Sequence, residues 1–241
     1  MKDLELVANH YTRGDLLGAI LAGVEKLGKT PETITIDDLA PVDEFHIGGR
    51  VATRAFLDQM SIATDEHVLD VGCGIGGASR YAAKQYGCRV AGVDLTNEYV
   101  ETGTALCRWL GQESRISLIQ GNVFDLGFSD ATFDKAFMLH VGMNISDKVA
   151  LTKEIWRVLK PGASFGIYDI MQIDDKALAF PVPWATVPEG ASLASPEDYK
   201  RALAAAGFEI VNERNRRDFA LEFFEKLKDR SAAAAGPPPL G

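Results

Sequence analysis

Between residues 68 and 79 the chain reads Val68-Leu69-Asp70-Val71-Gly72-Cys73-Gly74-Ile75-Gly76-Gly77-Ala78-Ser79, and no other stretch restricts the fold as strongly. An apolar β-rich run meets a cluster of glycines, and helical spacing follows. That succession predicts a strand, a tight turn and a helix whose free N–H groups face whatever approaches the turn. Gly72, Gly74 and Gly77 also satisfy G-x-G-x-x-G, which alone is a weak sign of a dinucleotide site. Asp70 opposes that reading. A carboxylate two residues ahead of the first glycine repels a pyrophosphate and suits a cationic ligand amine.

Four further β-rich runs, at 90–93, 116–119, 135–139 and 164–168, alternate with helical spacing over 76–87, 97–110, 147–159 and 196–206. The alternation predicts an α/β fold of the Rossmann-like, doubly wound kind, a mostly parallel sheet with helices on both faces. Ser195-Pro196-Glu197-Asp198 opens the last of these helices with a cap residue, a proline at the first position and early acids. Ahead of the sheet, 4–27 reads as one amphipathic helix, 31–42 is broken by Pro31 and Pro41, and 50–57 resumes helical spacing. Residues 171–194, with Pro181, Pro183 and Pro188, suit neither a helix nor a central strand and read as a long surface loop of the kind that forms lids. A strand over 208–214, a helix over 219–228 and an Ala/Pro-rich tail are expected beyond it.

Composition narrows the partners. A chain of 241 residues, 46% of them hydrophobic, can bury a full core, and no apolar run approaches bilayer-spanning length. The start, Met1-Lys2-Asp3-Leu4-Glu5, lacks a basic region followed by an apolar one, so a cytoplasmic protein is expected. The net charge of -9 is spread along the chain and disfavours nucleic acid and polyanionic substrates. Cys73, Cys88 and Cys107 are too few and too scattered for a disulfide framework, and no spacing suggests a metal site.

The ends of the next two expected strands carry further polar groups. Asp94, in Gly92-Val93-Asp94-Leu95, is placed to accept both hydroxyls of a ribose; Asn122, in Gln120-Gly121-Asn122-Val123-Phe124, is placed to read an adenine amino group. Three successive strand ends thus offer partners for an amino acid, a ribose and a base.

Residues 67–170 resemble the class I S-adenosylmethionine-dependent methyltransferases, most of all the ubiquinone/menaquinone-biosynthesis and sarcosine/dimethylglycine branch of small-molecule enzymes. The shared features are the glycine loop, Asp94, Phe133-Asp134 and the string Arg157-Val158-Leu159-Lys160-Pro161-Gly162. The resemblance implies that S-adenosyl-L-methionine is the cofactor and S-adenosyl-L-homocysteine the product. It implies that Asp70, Gly72, Cys73 and Gly74 hold the methionine part, that Asp94 binds the ribose and that Leu95 packs on the adenine. Asn122 stands where the family usually has Asp; Val123 and Phe124 would flank the ring, with Leu139 completing the set. The implied units are a helical cap at 1–60, a methyltransferase domain at 61–230 and a tail at 231–241. The family's sheet normally ends in a hairpin of strands six and seven. Here the seventh strand is missing from the sequence pattern, which leaves an edge open to pairing with a second copy.

Ligands of open α/β sheets bind outside the carboxyl ends of the strands, so acceptor-facing candidates are sought there. His140, in Leu139-His140-Val141-Gly142-Met143-Asn144, is either a base for an amine or hydroxyl, given a pKa near neutrality, or a structural histidine. His46 and Arg50, in Asp43-Glu44-Phe45-His46-Ile47-Gly48-Gly49-Arg50, either touch cofactor or substrate or serve the loop, with Arg50 solvated. Tyr11 either closes on a sulfonium or substrate cation or packs its helix. Tyr168, Asp169 and Trp184 either together suit a cationic amine, or Asp169 only caps a loop and Trp184 is only buried surface. Alignment and exclusion of water suffice for methyl transfer from a sulfonium, so an amine, a hydroxyl and an activated carbon remain open as acceptors. A non-catalytic binding or regulatory subunit is the competing reading; a nicotinamide oxidoreductase is opposed by Asp70 and by the lack of a Tyr-x-x-x-Lys signature.

Overall fold

The computed structural model describes residues 2–174 and 176–233; the tail beyond Ala233 lies outside the described residues. Its centre is a five-stranded parallel sheet, β1 (His67–Val71), β2 (Arg89–Asp94), β3 (Ile116–Gln120), β4 (Phe133–Leu139) and β5 (Leu159–Tyr168), in the order β3-β2-β1-β4-β5. The order reverses between β1 and β4, where the carboxyl ends of the strands open a crevice.

Successive side chains of a strand point to opposite faces, and the two cores follow that rule. Leu69, Val71, Ala91, Val93, Ala136 and Met138 face Leu151, Ile155 and Val158 of helix α7 (Lys148–Val158). Val68, Val90 and Phe137 face Leu57 of α4 (Gly49–Leu57), Ala82 and Ala83 of α5 (Gly77–Tyr86) and Cys107 of α6 (Asn97–Trp109). Helices therefore cover both faces, as expected. Each fully buried Leu, Val or Ile contributes about 1.5–3 kcal/mol, so these layers dominate the fold's stability. Asp70 shares the Val68 face and for that reason meets α5.

Helix ends fall where capping chemistry puts them. Helix α8 (Pro196–Ala206) carries a reciprocal capping box between Ser195 and Asp198 and stops at Gly207, whose φ is 107°. The amino-terminal stretch departs from its expected form. The single helix over 4–27 is two, α1 (Lys2–Tyr11) and α2 (Leu16–Lys26), because Gly14 takes a φ of 96° and Asp15 caps α2 by accepting from Gly18 N. Pro41 does not break the next segment. It lies inside α3 (Ile36–Asp43), where a Thr35–Asp38 capping box stabilises the first turn and the short helix loses a single hydrogen bond to the proline. Ile20, Val24, Ile34 and Leu39 pack with Ile75 and Leu106, which seats α2 and α3 on the glycine loop and α6.

The strand expected over 208–214 is not formed. Phe208 packs on Trp156 and Phe165 and its N–H donates to Leu203 O at 3.0 Å, but Val211 is 90% exposed and the segment pairs with no strand, so the period-two pattern has nothing to build on. Helix α9 (Arg217–Ala233) follows, and β5 remains an edge. Among the described residues no helix is long and apolar enough to cross a membrane.

Candidate active site

The glycine turn is strapped to the neighbouring strand. Gly72 and Cys73 both donate N–H to Val93 O (2.8 and 3.1 Å), and Gly74 N donates to Asp94 Oδ2 at 2.8 Å while Thr96 N donates to Asp94 Oδ1 at 2.8 Å. Asp94 thus shapes the loop through both of its oxygens. Gly72 has a φ of 70°, and a Cβ there would strike the Val141 side chain. Gly77, the first residue of α5, has no room for a Cβ because the carbonyl of Asp43 sits against it. Glycine is therefore required at Gly72 by conformation as well as by contact, and at Gly77 by contact.

Asp70 is 2% exposed and accepts a 2.6 Å hydrogen bond from Ser79 Oγ. Burial, with the Asp94 charge adding to it, pushes its carboxyl up from 3.8 to about 7 despite the Ser79 bond. The Cys73 thiol beside it is driven up as well, chiefly by burial, so it is an inert packing group; Cys88 and Cys107 are likewise buried free thiols. Leu95 lies half-buried behind Asp94, while Asn122 Oδ1 accepts from Phe124 N at 3.0 Å, a local turn that fixes Val123 and Phe124 after β3. Asp70, Gly72, Cys73, Gly74, Asp94 and Leu95 are thereby assembled at the ends of β1 and β2, with the 122–124 turn at the end of β3.

At the end of β4, beyond Leu139, His140 adopts φ 54°, uncommon for a residue with a Cβ, and donates its N–H to Tyr168 O at 2.8 Å. This left-handed turn sets its ring 5.1 Å from the Tyr168 ring and 5.8 Å from His46. Burial, then the neighbouring His46, pushes the His140 imidazole down to about 3. The near-neutral pKa expected for a base is thus corrected: desolvation keeps this ring uncharged.

Arg50 is not left solvated: its Nε pairs with Glu44, its Nη2 donates to Ile36 O at 3.3 Å, and its guanidinium lies 5.1 Å from the Tyr81 ring centroid. Tyr168 Oη donates to Ile47 O at 3.1 Å, which ties the 43–50 segment to β5. Asp169 does not present a free carboxylate to a cation. Its oxygens accept from Tyr199 Oη (2.6 Å) and Ile170 N (2.8 Å), and burial pushes it up to about 6. Trp184 is buried with Met143 and Ala185, against Ile170 and Phe180, and forms the underside of the long loop.

Asn144 holds the roof of the site and was not singled out in the sequence. Its Nδ2 donates to Trp184 O (2.8 Å) and Gly190 O (2.9 Å), and its Oδ1 accepts from Tyr11 Oη at 3.3 Å. His10 adds a second tie, bonding Thr186 Oγ1 at 2.9 Å and Pro183 O at 3.2 Å. Tyr11 also packs 5.9 Å from Tyr99, and its phenol is pushed up, mainly by burial. One amide therefore joins α1, the loop and the strand end. Asn144→Ala is expected to cost about 1–3 kcal/mol, because two carbonyls lose their donor, and to speed tryptic cleavage at exposed Lys176. Unchanged cleavage would show that the loop is held by other contacts.

The sheet order, the glycine turn and the two carboxylates define an open α/β domain that takes a ligand over its strand ends. Residues 69–167 match the family described as a methyltransferase domain. The sterol 24-C-methyltransferase of Eremothecium gossypii is 32% identical over 166 residues, 65% of this chain and 44% of that protein. Methyltransferase GfsG of Streptomyces halstedii is 26% identical over 209 residues, 85% of this chain and 73% of that one. Geranyl diphosphate C-methyltransferase from Streptomyces coelicolor A3(2) superposes with a TM-score of 0.73 at 19% identity, over 98% of this chain and 90% of that one. The chain spans less than half the length of the sterol methyltransferase it matches. Over residues 69–167 the chain is thus similar to methyltransferase domains, and its open α/β fold is the one these relatives share.

Proposed function

We propose that the chain binds S-adenosylmethionine over β1, β2 and β3 and transfers its methyl group in line to a small-molecule acceptor over β4 and β5. The observation that carries this reading is the pair of carboxylates, Asp70 and Asp94, flanking one glycine turn with no side-chain cation bonded to either. Such a site disfavours a pyrophosphate and favours a ligand with an ammonium, a sulfonium and ribose hydroxyls. Bound there, S-adenosylmethionine supplies a methyl group already activated on sulfur. Asp70 would face the ammonium across Gly72, Cys73 and Gly74; Asp94 would accept from the ribose hydroxyls. Leu95, Val123, Phe124 and Leu139 would enclose the base and thioether, and Asn122 would offer the adenine amine its second lone pair. Tyr11 and Trp184 would exclude water from above.

The helical cap over 1–60, the catalytic unit over 61–230, a cytoplasmic setting and a second copy at the open β5 edge belong to the same proposal. Asp94→Ala is expected to weaken S-adenosylmethionine binding by about 1–3 kcal/mol, roughly 5- to 150-fold in Kd by calorimetry. Turnover against amines, phenols and quinols, followed as S-adenosylhomocysteine, tests the transfer itself. Tight NADH binding without any response to S-adenosylmethionine would overturn the assignment, and cofactor binding without product from any acceptor would favour a regulatory subunit.

A further inference from the structure

The 43–50 segment contributes more than a lid. Glu44 is buried, with its side chain 3% exposed, and is ion-paired through Oε1 with Arg50 Nε. Its other oxygen, Oε2, accepts from Thr53 Oγ1 at 2.5 Å, and the same hydroxyl lies 2.9 Å from His46 Nε2. A hydroxyl has one proton. Because a paired carboxylate is an acceptor only, Thr53 gives its proton to Glu44, and its oxygen must then receive one from His46 Nε2. The chain of bonds therefore selects the tautomer with hydrogen on Nε2 and leaves the lone pair on Nδ1. The ring stands at the ends of β4 and β5, 5.8 Å from His140 and 6.4 Å from Tyr168 between centroids.

We propose that Glu44, Thr53 and His46 form a proton-accepting relay for the acceptor, with His46 as the catalytic base and the other two as positioning residues. This rests on the methyl-transfer reading above and sharpens it: the methylated atom is a hydroxyl oxygen or an amine nitrogen that carries a proton. As that atom bonds the methyl carbon, the carbon–sulfur bond breaks with its electron pair left on sulfur, and the acceptor's proton passes to Nδ1 of His46. The imidazolium so formed is stabilised by Glu44 through Thr53 and at 3.6 Å directly, then releases its proton to solvent. Glu44 and the Gly49 backbone favour the charged form of the His46 ring, Arg50 opposes it, and His140 and Tyr168 are uncharged neighbours. Burial lowers the imidazole pKa, so the resting base is neutral. Arg50 has its place here as the partner that keeps Glu44 an acceptor.

Protein labelled with 15N-histidine tests the relay without turnover, by long-range proton–nitrogen correlation of the imidazole rings at about pH 8, with the His46 signals identified by their loss in His46→Gln. The expected wild-type spectrum has hydrogen on Nε2 of His46 and a bare Nδ1, and Thr53→Val converts it to a mixture of tautomers. Hydrogen on Nδ1 in the wild type, or a spectrum unmoved by Thr53→Val, overturns the relay. With whichever acceptor the panel shows to be productive, His46→Gln lowers kcat by roughly 100-fold and abolishes the acid limb of the pH profile. Thr53→Ser, which keeps the hydroxyl, restores the wild-type rate where Thr53→Val does not. A His46→Gln enzyme with undiminished kcat overturns the base. If no acceptor is methylated the transfer reading itself fails, and the ring spectra still decide the relay.

Discussion

Arg80→Met is expected to destabilise the protein by about 3–5 kcal/mol, read as a lowered denaturant midpoint. Arg80 is wholly buried in α5. Its Nη1 donates to Ile75 O at 2.7 Å, Nη2 pairs with Asp43, and Nη1 also approaches Gly103 O at 3.4 Å and Cys107 Sγ at 3.8 Å. The guanidinium thus joins the glycine loop, α6 and the end of α3 in one place. Methionine fills much of the volume but leaves the Asp43 carboxylate, already pushed up by burial against the pull of the arginine, without a counter-charge. Carbonyls at Ile75 and Gly103 lose a donor as well. Since the Asp43 carbonyl rests on Gly77 and Glu44 is the next residue, loosening this pair also displaces the relay. Arg80→Lys is not expected to rescue, because a single ammonium cannot reach both α3 and the loop carbonyls in the fork that arginine provides. The double variant Arg80→Met with Asp43→Leu removes both charges and should recover most of the loss. A double variant no more stable than Arg80→Met alone would show that buried charge is not the cause.

That pair was invisible in the sequence for a physical reason. Arg80 and Asp43 are 37 residues apart, and at the level of spacing each reads as a solvated charge; only the packing of α3 onto α5 brings them together. The glycine turn, by contrast, was legible because local conformation and ligand approach both act within about ten residues. The parallel sheet followed from runs such as Val90–Val93 whose burial on both faces removes polar alternation. The 208–214 segment misled because a period-two pattern records which side chains are apolar and says nothing of whether a partner strand exists. His140 was found as a strand-end residue, but its charge state depends on His46 and Tyr168, which are distant in sequence. Asn144 stood within a string already of interest. Its role needed the loop at 184–190 and α1 to fold over it.

Asp70→Asn is expected to reverse its effect on stability with pH and to weaken the site it lines. In the ligand-free protein the Asp70 carboxyl is raised from 3.8 to about 7 by burial first and by the Asp94 charge. Between pH 3.8 and about 7 the unfolded chain has released this proton while the folded chain retains it, so stability falls as pH rises through that window and stays low above it. A shift of that size corresponds to roughly 4 kcal/mol. Asparagine cannot ionise, and its carbonyl oxygen still accepts from Ser79 Oγ, but its amide hydrogens are buried at a cost of about 1–3 kcal/mol. The variant is therefore less stable than the wild type near pH 4 and more stable near pH 8. Asp169, raised to about 6, and His140, lowered to about 3, titrate in both proteins and cancel in the difference. Denaturant unfolding of the two ligand-free proteins from about pH 4 to 8 reads this directly, and parallel curves would refute the raised pKa of Asp70. The same substitution removes the charge that would face the cofactor's ammonium, so S-adenosylmethionine affinity should drop by about 1.5–3 kcal/mol at pH 8, roughly 10- to 150-fold. Cofactor binding then relieves in the wild type the strain of an ionised buried carboxylate, and the stabilisation it brings should grow from pH 6 to 8 in the wild type while staying flat in the variant.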